Sequence, residues 1–123
     1  MKITNAEILG FSKKFDEAFG QETNYLPAKV NFYIHYNVKL LLDAVEVIEF
    51  AKKDICVQYG VPDENGTKYV FTEENTLLAN KELFNLASLE QEIPIHTIPL
   101  SWLDGLQFTP EQMRAIMFMI EVD

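Results

Sequence analysis

The side chains best suited to metal chemistry in this sequence are one cysteine and two histidines: Cys56, His35 and His96. A closed structural zinc site needs four cysteine or histidine ligands, and no two of these three residues have the spacing of a zinc-binding pair. The sequence therefore predicts no metal site. A single cysteine also excludes an internal disulfide, and with it the class of small disulfide-rich secreted domains.

A calcium-binding loop is suggested by Asp63, Asn65 and Glu74, which match positions one, three and twelve of an EF-hand loop. That loop requires a glycine at position six for its sharp turn. Lys68 stands there, while the glycine is Gly66 at position four. We therefore interpret this segment as a tight turn, in which the Asn-Gly pair supplies a positive φ angle.

Catalytic motifs are absent from the sequence. There is no glycine-rich phosphate loop, no Gly-x-Ser-x-Gly elbow and no His-Glu-x-x-His pair. Asp16 and Glu17 are adjacent, as are Glu73 and Glu74, and adjacent side chains on a helix diverge, so neither pair can share a proton. Cys56 lies between apolar neighbours, which is typical of a small buried side chain. We therefore expect no catalytic residues, no cofactor and no enzymatic activity.

The net charge of −9 comes from 19 acidic and 10 basic residues among 123, and it is unevenly distributed. Residues 1–60 carry eight acids and seven bases, whereas residues 61–123 carry eleven acids and three bases. Without a basic stripe to neutralise phosphates or anionic lipid, we expect neither a nucleic-acid nor a membrane partner. The first residues lack the apolar stretch of a signal peptide, which predicts a cytoplasmic protein.

Any functional site must be positioned by the secondary structure, and the sequence predicts where the first helix begins and ends. Thr4 and Glu7 have the spacing of a capping box, which predicts a helix start. An apolar stripe at spacings of three and four follows them: Ile8, Phe11, Phe15 and Phe19. Gly20 predicts the end of this helix.

Residues 29–38 allow two interpretations, because they combine the alternation of a strand with the three-four rhythm of a helix. We favour one long helix from Ala28 to Tyr59, which would run about 48 Å. Its apolar stripe should pack on the first helix, and we expect four of its members to be buried: Leu41, Val45, Ile48 and Ile55.

The second half of the chain predicts smaller elements. Residues 68–72 have strand composition, and Pro94 makes residues 92–98 an edge strand, so we expect these two segments to pair. A helix should follow Thr72, and a C-terminal helix should begin at Thr109 and Pro110. The predicted fold is one domain over residues 1–123: a helix-dominated α+β fold with an N-terminal α-hairpin containing one long helix, a small antiparallel β pair and a C-terminal helix.

Surface aromatic residues are the remaining candidates for function. Phe32, Tyr36 and Phe50 fall near one face of the long helix, which also carries charged residues. The predicted terminal helix is apolar on nearly every side, and Phe118 and Met119 lie off its main stripe. We therefore name these five residues as a candidate protein interface, with self-association of the chain as one expectation.

Several short segments together resemble a family of short uncharacterised proteins encoded by tailed bacteriophages and prophages, often near tail-module genes. The segments that carry the resemblance are residues 1–8, residues 26–29 leading into Tyr33, Asn37 and Leu41, the Tyr59-Gly60 pair before an acidic glycine turn, Glu92-Ile93, and residues 98–103. They mark a helix start, a helix entry and an edge strand, and none of them contains a catalytic or ligand-binding motif.

The resemblance implies a small phage accessory or structural protein that works by protein-protein contact, in tail or virion assembly. Its partner would be a phage structural component or a host protein, and its location the host cell cytoplasm or the virion. The alternative is a phage-encoded acidic inhibitor of a host defence or host enzyme. We rank that second, because the acids are scattered among Leu and Phe residues and do not form a continuous phosphate-like row.

Overall fold

Helices dominate the architecture, as the sequence predicts. The structure is a computed structural model that describes residues 1–20 and 25–123, and within them it is a helix-dominated α+β fold. The α-helices in this part of the chain are α1 (Asn5–Phe19), α2 (Ala28–Tyr59), α3 (Glu73–Ser88) and α4 (Pro110–Ile116). The strands pair in twos and are short: β1 (Lys2–Thr4), β2 (Val61–Pro62), β3 (Tyr69–Val70), β4 (Glu90–Glu92), β5 (Ile98–Pro99) and β6 (Ile120–Glu121).

Helix α1 begins at the predicted capping box. The Glu7 backbone N–H donates to the Thr4 hydroxyl at 3.1 Å, and the Thr4 N–H donates to the Glu7 carboxylate at 3.1 Å. At the other end, the Gly20 N–H donates to the Asp16 carbonyl. Both ends of α1 are therefore set by local sequence, with free backbone groups satisfied at each.

The long helix is confirmed. Residues 29–38 are helical, and α2 runs without interruption from Ala28 to Tyr59. With α1 it forms the predicted antiparallel hairpin. Ile8, near the start of α1, shares a buried cluster with Leu41 and Ile48, whereas Phe19, at its end, packs on the cluster that contains Val30.

The predicted core stripe of α2 is buried at its centre and more open further along. Leu41 and Ile48 are almost fully buried, but Val45 and Ile55 are only half-buried. Ile48 is the last residue of α2 that belongs to the buried core. The expectation of full burial is therefore wrong for Val45, at the edge of the stripe, and for Ile55, which lies beyond the core.

The predicted strand pairing is wrong. β3 does not pair with residues 92–98; it pairs antiparallel with β2, which places Val61 opposite Val70. Gly66 supplies the positive φ of the intervening turn, at 67°. A turn between neighbouring segments closes a much shorter loop than a pairing across α3, so it costs less conformational entropy.

Asp63 braces this turn. Its carboxylate accepts a hydrogen bond from the Thr67 N–H at 3.0 Å, and its own N–H donates to the Lys68 carbonyl at 2.8 Å. Desolvation raises the pKa of Asp63, but hydrogen bonds from Thr67 and from the backbone of Lys68 and Asn65 together hold that pKa below its usual value. The residues of the rejected calcium loop thus stabilise a turn.

The segment that follows α3 pairs with the chain start, which the sequence did not indicate. β1 and β4 are antiparallel, with Lys2 opposite Glu92. Buried Asn5 ties them to α3: its Nδ2 donates to the Leu86 carbonyl at 2.8 Å, and its Oδ1 accepts from Gln91 Nε2 at 2.6 Å. Three residues are too few to show a period-two pattern, so β1 was invisible in the sequence.

The C-terminal helix is confirmed at its start and is shorter than the apolar pattern suggested. Thr109 and Gln112 form a capping box with both bonds at 3.0 Å. α4 ends at Ile116, a 3₁₀ turn covers Met117–Met119, and β6 then pairs parallel with β5.

Two glycines offer a matched test of how the chain is packed. A Cβ on Gly60 would lie 2.8 Å from the Cys56 carbonyl oxygen and 2.9 Å from the Phe71 ring, so Gly60→Ala should destabilise the fold by about 1–3 kcal/mol. Gly10, within α1, has nothing within 4 Å of that position, so Gly10→Ala should stabilise it by about 0.5–1 kcal/mol. Urea denaturation measures both, and equal signs would contradict the close approach at Gly60.

Candidate protein interface

No cluster of metal-binding side chains is assembled in the described part of the chain. Across residues 1–20 and 25–123, no group of three or more His, Cys, Asp or Glu side chains is placed to hold a metal ion. Cys56 is half-buried on α2, and the two histidines are exposed on different segments of the chain, His35 on α2 and His96 before β5.

An open depression of about 730 Å³ lies where the end of α1 meets the start of α4. Its charged lining is Asp16, Glu17 and Glu111 with Arg114. Among the described residues of this lining, the hydroxyl belongs to Thr109, whose oxygen accepts from the Gln112 N–H as the cap of α4. The same described residues include no histidine or cysteine.

The outward face of α2 is the most unusual surface of the described chain. Seven exposed residues lie on it at alternating spacings of four and three, and we call them the outer seam: Phe32, Tyr36, Lys39, Asp43, Glu46, Phe50 and Lys53. The average spacing of 3.5 residues keeps all seven on one side of the helix, opposite the buried stripe that contains Leu41. Three of the five candidate interface residues belong to this seam.

Aromatic rings occupy the N-terminal end of the outer seam. Phe32 is 61% exposed and Tyr36 is 44% exposed, and their rings stack with centroids 6.3 Å apart. They border a shallow depression of about 490 Å³ whose lining residues all belong to α2: Ala28, Asn31, Phe32, His35, Tyr36 and Lys39. This surface is therefore open to another molecule.

Neighbouring side chains hold this aromatic end in place. The Tyr33 ring meets the Phe32 ring edge-on at 5.2 Å and lies 3.8 Å from the His96 ring. Behind it, the Lys29 ammonium sits 3.4 Å from the centre of the Trp102 ring, which is a cation-π contact. Because its neighbours are already packed, the exposed Phe32 ring would lose little conformational freedom on binding.

Charged residues fill the middle of the outer seam. Lys39 Nζ lies 3.3 Å from the Asp43 carboxylate in an ion pair four residues apart. Both side chains are exposed, so this pair contributes little to the stability of the single chain. Phe50 follows at 62% exposure, and the nearby Val47 and Val57 are also exposed. The seam thus has aromatic residues on both sides of its charged middle, and it ends at Lys53.

The other two candidate interface residues pack against the rest of the chain, Met119 fully and Phe118 in part. Met119 is fully buried, and its sulfur is 3.5 Å from Asn37 Nδ2, so the prediction of a surface role for Met119 is wrong. Phe118 is half-buried and stacks on Phe11 with ring centroids 4.6 Å apart. Met119 lies three residues after Ile116 and seven after Gln112, so it continues the buried face of α4 through the 3₁₀ turn that follows.

Helix α3 carries large apolar side chains that are open to solvent. Leu77 and Phe84 are each 71% exposed. α3 packs instead through Ala79, which is buried, and through half-buried Leu83 and Leu86. Leu77 and Phe84 are seven residues apart, so they lie on the same side of the helix. This spacing was the signal in the sequence that the two side chains share one face.

Among residues 1–20 and 25–123, no helix combines the length and the apolar character needed to cross a bilayer.

Comparisons with known proteins identify no relative of this chain. No protein-family model matches the chain, and neither a curated protein nor a solved structure gives a match.

Proposed function

We propose that this chain is a non-enzymatic bacteriophage accessory or structural protein that acts by protein-protein contact in tail or virion assembly, and that the outer seam of α2 is its contact surface. The observation that carries the contact role is the pair of exposed phenylalanines, Phe32 and Phe50, on one face of one rigid helix about 27 Å apart. The phage context rests on the sequence resemblance, and the proposed location is the host cytoplasm or the virion.

Energetics support a contact role for this surface. Removing a phenylalanine side chain from water contributes about 1.5–3 kcal/mol, and the single chain forgoes most of this at both rings. Aromatic anchors flanked by charged residues are common in protein interfaces, where the rings supply affinity and the charges select the partner. The outer seam has that composition, with Lys39 and Asp43 between Phe32 and Phe50.

A comparison of two phenylalanine variants tests this proposal. Phe50 and Phe84 are both strongly exposed, at 62% and 71%, so glutamate at either position should leave the fold intact. Tagged wild-type, Phe50→Glu and Phe84→Glu proteins are purified from host cells that express the phage structural genes, and co-purifying proteins are quantified by mass spectrometry. We expect Phe50→Glu to lower the recovered partner by about tenfold or more, and Phe84→Glu to leave it unchanged.

Equal recovery with both variants would show that the outer seam is not the contact surface. Failure of the wild type to capture any protein in stoichiometric amount would contradict action through a second kind of protein. A host enzyme captured in place of a phage component would favour the inhibitor alternative. Circular dichroism of each variant checks that the helices are retained.

A further inference from the structure

The outer seam has the geometry of a two-helix contact. Its seven residues follow the four-three alternation of coiled-coil core positions without a break from Phe32 to Lys53. All seven are exposed, and within residues 1–20 and 25–123 the depression at the aromatic end is lined by α2 alone. A second helix could therefore lie along most of α2. The charged residues of the seam determine which helix can bind there and in which direction it runs.

A parallel copy of α2 is disfavoured by like charges. In a parallel pair each core position faces the same position of the other chain. Lys39, Asp43, Glu46 and Lys53 would then each meet an identical charge, in four of the seven layers. Like charges brought together across an interface cost several kcal/mol, so the parallel arrangement is not viable.

An antiparallel copy turns the same charges into partners. With the two-fold axis level with residue 41, Lys39 faces the partner's Asp43, and Asp43 faces the partner's Lys39, because both positions are two residues from the axis. In this register Phe32 faces the partner's Phe50, since both are nine residues from the axis. Tyr36 faces the partner's Glu46, whose carboxylate can accept from the phenol hydroxyl.

Other antiparallel registers lose these matches. An axis level with residue 43 places Asp43 against the partner's Asp43, and an axis between residues 44 and 45 places Asp43 against the partner's Glu46. The favoured register has two like-charge layers, one at each end: Lys29 faces the partner's Lys53, and Lys53 faces the partner's Lys29. Both layers lie at the edges of the contact, where water screens them, and the Lys29 ammonium is already held over the Trp102 ring.

We infer that the partner of the outer seam is a second copy of this chain, bound antiparallel with its two-fold axis level with Leu41. The inference rests on the proposed function, because it assigns an occupant to the contact surface named there. The dimer buries Phe32 against the partner's Phe50 at both ends and replaces one exposed ion pair within each chain by two ion pairs between chains. Closed two-fold symmetry leaves no further copy to add. A phage component would then bind the dimer, and Phe50→Glu would lower its capture by disrupting that dimer.

Charge reversal tests both the dimer and its register. Sedimentation velocity at high micromolar concentration should give about twice the chain mass of 14.2 kDa for the wild type. Lys39→Asp alone and Asp43→Lys alone each create like-charge layers, so each variant should dimerise about a hundredfold more weakly. An equimolar mixture of the two variants should form the heterodimer, because every Asp then faces a Lys of the other chain.

The mixture separates contacts between chains from contacts within a chain. Neither variant regains its own ion pair between positions 39 and 43, so recovery on mixing can only come from pairing between chains. Native mass spectrometry with one variant isotopically labelled identifies the mixed dimer. A monomeric wild type, single variants that dimerise as tightly as the wild type, or a mixture that stays monomeric would each overturn the inference.

The two proposals fail in different ways. If the wild type is monomeric but Phe50→Glu still loses a captured protein, the seam binds a different partner, and only the self-association is wrong. If the wild type forms the antiparallel dimer but captures no phage protein, the dimer stands and the assembly function is contradicted.

Discussion

Leu41→Ala is expected to lower the free energy of unfolding by about 2–5 kcal/mol. Leu41 is 1% exposed and shares its cluster with Ile8 from α1, Ile3 from β1 and Ile93 after β4. Truncation removes contacts to three separate segments and leaves a cavity that a helix anchored on both sides cannot close. Urea denaturation followed by circular dichroism measures the change.

Leu42→Ala provides the matched control, since Leu42 is the next residue of the same helix and is nearly half exposed. It removes the same atoms with the same change in helix propensity, and its cost should stay below about 1 kcal/mol. A loss at Leu41 no greater than that at Leu42 would show that the stripe of α2 facing α1 is not the core.

The second large effect is expected at Asn37. This fully buried amide donates from Nδ2 to the His96 carbonyl at 2.8 Å and accepts at Oδ1 from the His96 N–H at 2.8 Å. The segment after Pro94 is not part of a strand at His96, so no neighbouring strand satisfies these backbone groups. The Asn37 side chain satisfies them instead. Asn37→Leu fills the space but leaves both backbone groups without a partner, so we expect a loss of about 2–4 kcal/mol.

Asn37→Asp sharpens this prediction through its pH dependence. The ionised carboxylate can accept from the His96 N–H, but it repels the His96 carbonyl and is buried without a cation. Its pKa should therefore be raised on folding, and the deficit in stability should shrink as the pH falls and the group is protonated. Asn31→Asp, at an exposed position of α2, should change stability by less than about 0.5 kcal/mol. A deficit that is constant with pH would contradict the paired role of Asn37.

Features that depend on neighbouring residues were determined by the sequence. The capping boxes of α1 and α4 and the turn at Gly66 follow from spacings within one or two helical turns. For α2 the spacing favoured one long helix but left a strand at residues 29–38 as an alternative, which the structure excludes. The burial of Leu41 and the exposure of Phe32 follow from the same periodicity, because opposite faces of one helix cannot both be covered by α1. The sequence alone therefore predicts that these residues share one exposed face of the helix. It does not by itself predict how that face aligns with a partner.

Only the tertiary structure decided which distant segments meet. β1 with β4, the parallel pair of β5 and β6, and the clamp of Asn37 on His96 each join residues far apart in the chain, and strands of two or three residues carry no periodic signal. Met119 shows the same limit. The last helical segment is apolar on nearly every side, so its pattern does not say which face is buried. Met119 is buried because that face packs on a cluster with Val30 and Ile98, which come from distant parts of the chain.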